Sequence, residues 1–306
     1  LLDSGVARKS EGATVIDVAE PDDRAEIPPL LLAKSDGAAL YTTTDLATLK
    51  MRIDVFGARE VLYVVDARQS LHFEQVFRAA RRANIAPPEV LLEHIDHGTI
   101  NGPDGSPLKT RDGGVPPLHG LIADAKQAAA ARVAEARIGV DLSEDERTDV
   151  ATKVAAAALK FGDLINHRTS NYIFDLDRFT SFEGKTGPYL QYATVRITSI
   201  LRKAADAGLA PGEPIPTSED AERALVLQLA TIPETVLRAW DLRAPNHIAE
   251  AAFDLAGAFN RFYEACHILR EEDPDRQASW LQLAATTQRA LLVLLDLLGI
   301  AVPERM

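Results

Sequence analysis

Tyr41 and Asp45 stand four residues apart in YTTTD, directly after the glycine-bearing turn SDGAA. One helical repeat separates them, so a phenol and a carboxylate can converge on one target. That pair could hold a guanidinium or ammonium group through charge-assisted hydrogen bonds. Equally, Thr44 or Asp45 could cap the helix that follows, with Tyr41 in a half-buried strand. In VVDARQSLHFEQVF, Gln69 and His72 fall at a helix start, where backbone N–H groups and the helix dipole favour an anion such as phosphate; a solvated polar cap would use the same residues. GSPLKTRDGG places Lys109 and Arg111 between glycines. Such a loop could fold over a polyphosphate and offset charge that develops in phosphoryl or adenylyl transfer, or it could be an ordinary basic surface loop. His94 and His97 neighbour Glu93 and Asp96, but two histidines without a third ligand at diagnostic spacing are a weak metal signal, and no metal site is expected. EGKTGPYLQYATVRITSILRK leads two glycines, a proline and two tyrosines into a helix carrying Arg196, Arg202 and Lys203. It is either a nucleotide-stacking patch or an aromatic approach to a core.

The elements that must position these residues change character along the chain. Over the first 120 residues, β-rich runs (ATVIDV, PPLLLA, ALYTT, EVLYVVD, EVLLEHI) alternate with helices predicted over 45–56 and 71–83. Alternation at this length predicts a parallel sheet with crossover helices. Residues 66–72 would then lie beyond the carboxyl end of a strand, where such sheets bind ligands. After the Gly/Pro-rich loop NGPDGSPLKTRDGGVPPL, nearly everything from residue 122 onward is Ala/Leu-rich with a 3.6-residue period. The expected fold class is therefore an α/β partial nucleotide-binding, Rossmann-like sheet followed by an all-α helical bundle. Within the bundle, GLAPGEPIPTSED separates two helices, and Ser218 is the expected cap of the second.

Composition narrows the function classes. The chain has 306 residues, 46% hydrophobic and 25% charged, with a net charge of −12. The overall field repels nucleic acid, which argues against a DNA coat but not against RNA read on a local patch by stacking. The single cysteine, Cys266, excludes an internal disulfide and is expected to be a buried small hydrophobe. No apolar run approaches the ~20 residues that span a bilayer, and no basic-then-apolar leader opens the chain; a cytoplasmic protein is expected. The first residue is leucine, as in a piece of a longer polypeptide.

In collinear order, SDGAALYTTTDLA, YVVDARQSLHFEQVF, GSPLKTRDGG, FEGKTGPYLQYATVRITSIL, FNRFYEACHIL and LLGIAVPERM resemble arginyl-tRNA synthetase, a class I aminoacyl-tRNA synthetase, over essentially the whole chain. The resemblance implies that Tyr41 and Asp45 hold the substrate guanidinium and that Gln69 helps seat the arginine. It places His72 beside the nucleotide, and Lys109, Thr110 and Arg111 in the mobile loop that steadies ATP phosphates, with Lys109 and Arg111 offsetting charge on the leaving pyrophosphate. Tyr192, Tyr263 and Met306 match positions that pack against anticodon-loop bases. The implied division is 1–121 for the second half of the catalytic domain, 122–187 for a helical connecting region and 188–306 for the anticodon-binding domain. The implied substrates are arginine, ATP with Mg2+, and tRNA(Arg), with no tightly bound cofactor, no DNA and no membrane partner; a monomer is expected.

Two departures qualify the likeness. HIDHGTI has His97 where the family usually carries an aromatic residue, and no His-x-Gly-His tetrapeptide of the class I nucleotide fold occurs. The chain is therefore expected to be a carboxyl-terminal portion of an arginine–tRNA ligase, inactive when isolated. The alternative is a non-catalytic paralogue that binds tRNA or a partner protein. From residue 188 to 306 there are 11 Lys and Arg against 16 Asp and Glu, a net charge of −5, so RNA contact there must rest on a local patch and be salt-sensitive.

Overall fold

The computed structural model describes residues 1–102, 104–106 and 118–306. These residues divide into two compact units, Leu1–Gly98 and Thr99–Met306.

The first unit opens with three strands, β1 (Arg8–Ser10), β2 (Ala13–Ile16) and β3 (Leu30–Ala33). They pair antiparallel, not parallel as the alternation pattern suggests. The reason is local: Glu11 and Gly12 both take positive φ (49° and 84°), which gives the two-residue turn that matches strand twist in a hairpin. The segment from β2 to β3 holds no helix to carry a crossover. Parallel pairing appears next. β4 (Glu60–Asp66) and β5 (Leu91–His97) run parallel in register from Glu60↔Leu91 to Asp66↔His97, joined by α2 (Ser70–Arg82).

ALYTT is not a strand. Helix α1 begins at Tyr41 and runs to Asp54, because the threonines satisfy the exposed end of a helix. Thr43 Oγ1 accepts the Leu40 N–H at 3.2 Å, and the Thr42 and Thr43 hydroxyls donate to the carbonyls of Leu31 and Leu32 on β3. Leu46 and Leu49 of α1 and Val76, Ala79 and Ala80 of α2 are buried with Ile16, Leu30 and Val61. Arg81 ties α2 to the β5 approach by donating to the carbonyls of Ala86 (2.9 Å), Pro87 and Val90 (2.5 Å).

The second unit is mainly helical. A short parallel pair, β6 (Ile100–Asn101) with β7 (Tyr172–Ile173), accompanies α3 (Leu118–Glu135), α4 (Glu144–Leu164), α5 (Leu176–Phe179) and α6 (Gly187–Asp206). Then follow α7 (Asp220–Ala230), α8 (Ile232–Asp241), α9 (Asn246–Ala265) and α10 (Pro274–Leu297). Phe161, Leu190, Ile197, Leu255, Phe259, Phe262 and Leu281 are at most 1% exposed and form one core. Gly187 lets α6 approach α4: a Cβ there would sit 2.2 Å from the Ala157 carbonyl oxygen. Ser218 does not cap α7 with its side chain; its N–H donates to Glu222 Oε2 at 2.9 Å, and Glu219 holds the cap position. Cys266 is buried as expected, and desolvation together with Glu222, Glu219 and Glu271 pushes its thiol up to about 11.

Candidate functional sites

In the first unit, α1 positions Tyr41 and Asp45, and the β4–α2 junction positions Gln69 and His72. Tyr41 occupies the first helical residue of α1 and is 87% exposed. It is therefore not the half-buried strand residue of the capping alternative, and neither Thr44 nor Asp45 caps α1. Asp45, one turn further on, points away from its own helix. Its Oδ2 lies 2.7 Å from His72 Nε2 on α2, with both side chains about three-quarters buried. The carboxylate can only accept, so His72 Nε2 carries the hydrogen of this bond. The structure thus unites two residues that the sequence places 27 positions apart and in different roles. No other hydrogen bond is made to Asp45 among the described residues, so Oδ1 keeps its acceptor capacity.

Gln69 is exposed, at the end of a 3₁₀ turn (Ala67–Gln69) between β4 and α2. That turn is fixed by Asp66, whose carboxylate accepts from Arg68 N (2.8 Å), Nε (2.8 Å) and Nη2 (2.6 Å). The Arg68 bonds hold the Asp66 carboxyl down to about 2, from 3.8. Beneath the junction, Phe73 packs with its ring tilted against those of Tyr63 (4.6 Å between centroids) and His94 (4.9 Å), and His72 meets Phe73 edge-on at 5.1 Å. His94 Nε2 is 3.0 Å from the Val65 carbonyl and His97 Nδ1 is 2.9 Å from that of Gly98. Among the described residues no three His, Cys, Asp or Glu side chains are grouped to hold a metal ion. Lys109, Thr110 and Arg111 lie outside the described residues.

The second unit carries a cleft of about 250 Å³, lined among others by Tyr192, Arg196, Arg202, Asp141, Arg305 and Met306. Tyr192 is 44% exposed. Tyr263 joins this wall through Arg196, whose guanidinium lies over the tyrosine ring at 4.8 Å from its centroid. Tyr263 in turn stacks on Phe259, with the rings 18° from parallel and 6.2 Å apart. All three residues expected on an RNA face, Tyr192, Tyr263 and Met306, are thereby linked to one concavity with two arginines from the same helix. Asp141, which pairs with Arg305, was not anticipated. It precedes α4 by three residues, and no local motif marks it.

Residues 1–176 match the model described as tRNA synthetases class I (R), catalytic domain. The chain belongs to the arginine-specific class I tRNA synthetase family. Residues 190–306 match the DALR anticodon binding domain. Its relatives include the arginine–tRNA ligases of Maricaulis maris (strain MCS10), 51% identical over 302 residues, and Alkaliphilus oremlandii (strain OhILAs), 44% identical over 298 residues. These alignments cover 99% and 97% of this chain but 51% and 50% of those proteins. The chain thus spans about half the length of the curated relatives it matches. The arginyl-tRNA synthetase of Thermus thermophilus superposes with a TM-score of 0.83 at 28% identity, over 98% of this chain and 55% of that one. The α/β part followed by a helical carboxyl-terminal region is thus the family's architecture. No helix among the described residues is long and apolar enough to cross a membrane.

Proposed function

We propose that this chain supplies the arginine-selecting and anticodon-reading half of an ATP-dependent arginine–tRNA ligase that works in the cytoplasm as a monomer. One observation carries the reading: the Asp45 carboxylate, a helical turn from exposed Tyr41, is held by His72 from a neighbouring helix and makes no further hydrogen bond among the described residues. A carboxylate so fixed suits a planar guanidinium, which offers paired N–H donors that an ammonium does not. In the reaction, the arginine carboxylate attacks the α-phosphorus of magnesium-bound ATP; an acyl–phosphate bond forms and pyrophosphate leaves. A hydroxyl of the tRNA terminal adenosine then attacks the acyl carbon, releasing AMP. Asp45, Tyr41 and Gln69 select the amino acid. His72, its Nε2 already committed to Asp45, meets the nucleotide through the rest of its ring. Lys109, Thr110 and Arg111 steady the phosphates, and Lys109 and Arg111 offset charge on the leaving pyrophosphate.

Residues 1–121 serve activation, 122–187 connect, and 188–306 read the anticodon of tRNA(Arg) through Tyr192, Tyr263 and Met306. Stacking of unpaired bases on exposed aromatic and guanidinium planes fits that task. The His-x-Gly-His element of the nucleotide fold is absent from these 306 residues. The chain alone should therefore show no arginine-dependent ATP–pyrophosphate exchange. The direct test is a chimera in which this chain replaces the matching half of the Maricaulis maris ligase. The chimera should charge tRNA with arginine; a folded chimera that activates no arginine would contradict the proposal.

A further inference from the structure

Gln191 is the neighbour of Tyr192 on α6, yet it is completely buried. A buried amide must find partners, and this one finds them far away in the sequence. Its Nε2 donates to the carbonyl of Lys153 on α4 (3.1 Å) and to that of Ala301 (2.6 Å), 110 residues downstream. Two carbonyl acceptors fix which way the amide faces, and its Oε1 is left buried without a hydrogen-bond partner. Only its donors are used, so the amide acts here by what it holds. What it holds is the segment 299–306.

That segment has further anchors. Lys160 Nζ donates to the Gly299 carbonyl, Pro303 is buried, Arg305 pairs with Asp141, and Met306 packs against the α3–α4 cluster. The Lys160 and Arg305 contacts are solvent-exposed and therefore weak. The Gln191 bonds are part-buried and come from a fully buried side chain, so water screens them less. We propose that Gln191 is a positioning residue: by clamping the Ala301 carbonyl it seats the 299–306 segment so that Arg305 and Met306 line the RNA cleft beside Tyr192. This rests on the anticodon reading of that cleft. It adds that recognition depends on a residue that never touches RNA.

Gln191→Met, which keeps volume and removes both donors, tests it in the full 306-residue chain. Amide hydrogen exchange across 299–306 should accelerate by about tenfold or more while the helices keep their protection. Affinity for a synthetic hairpin carrying an arginine anticodon loop should fall by about tenfold, to the level of a variant lacking residues 304–306. Adding that truncation to Gln191→Met should change nothing further. Unchanged exchange of 299–306 overturns the clamp, and a loosened segment with full hairpin affinity overturns its role in recognition. If the unaltered chain binds this hairpin no better than one with the anticodon bases replaced, the anticodon reading fails, while the exchange result still decides the clamp. Should Gln191→Met not fold, the unaltered protein suffices: its Gln191 side-chain amide protons should exchange slowly by NMR, and rapid exchange would overturn the proposal.

Discussion

The α1–α2 corner and the α6 cleft solve opposite problems. In the corner, a single carboxylate is held by one short bond between neighbouring helices, His72 to Asp45. In the cleft, a larger surface must be assembled, and its walls come from Asp141, from Arg196 and Tyr192 on α6, and from residues 304–306. The first depends on one contact between two neighbouring helices, the second on packing among several segments far apart in the sequence. The corner should therefore be broken by changing one functional group, whereas the cleft should be sensitive both to its own side chains and to the core that holds its walls together.

The largest effect should come from that core. Phe161 is fully buried in the second unit, and Phe161→Ala should cost about 3–5 kcal/mol. For a unit of this size, thermal melting should show a drop of roughly 6–20 °C, with RNA binding lost at temperatures where the unaltered chain still binds. Next in size, Arg196→Met removes the guanidinium over Tyr263 and keeps most of the stem. Hairpin affinity should fall by about tenfold with no change in melting temperature. A loss of stability equal to the loss of binding would show that Arg196 only packs the bundle.

A smaller effect belongs to the turn before α2 and depends on pH. Asp66 is held at about 2 in the folded chain against 3.8 ordinarily. Its carboxyl is depressed on folding, so it stabilises above about pH 4, and that contribution disappears as pH falls toward 2. Asp66→Asn should therefore flatten the acid limb of the stability profile between those values and lower stability at neutral pH. An unaltered acid limb would mean that Arg68 does not hold this carboxyl in solution.

The two regions also differed in how far they could be read in the sequence. The β4–α2–β5 crossover was legible because an apolar run, a turn and an amphipathic run each carry their own period. The helical half was legible for the same reason. The antiparallel β1–β2 hairpin was missed because its signal was only the dipeptide Glu11–Gly12, and the start of α1 was missed because three threonines read as strand by propensity. There, the Leu31 and Leu32 carbonyls overrule propensity by accepting from two of those hydroxyls. Tyr41 and Asp45 were visible as a pair, but the bond from His72 was not, since it joins different helices. Likewise Tyr192, Arg196 and Arg202 share one helix and one motif, whereas Asp141, Gln191 and the 299–306 segment meet only in the fold.

The account stands on the Asp45 carboxylate receiving a guanidinium. Calorimetric titration of arginine and of lysine into the chain, and into Asp45→Asn, measures this directly. Arginine should bind in preference to lysine, and Asp45→Asn should erase the preference, a loss of about 2–5 kcal/mol for one partner of a hydrogen-bonded charge pair. Equal binding of arginine to both proteins, with the preference intact, would contradict it.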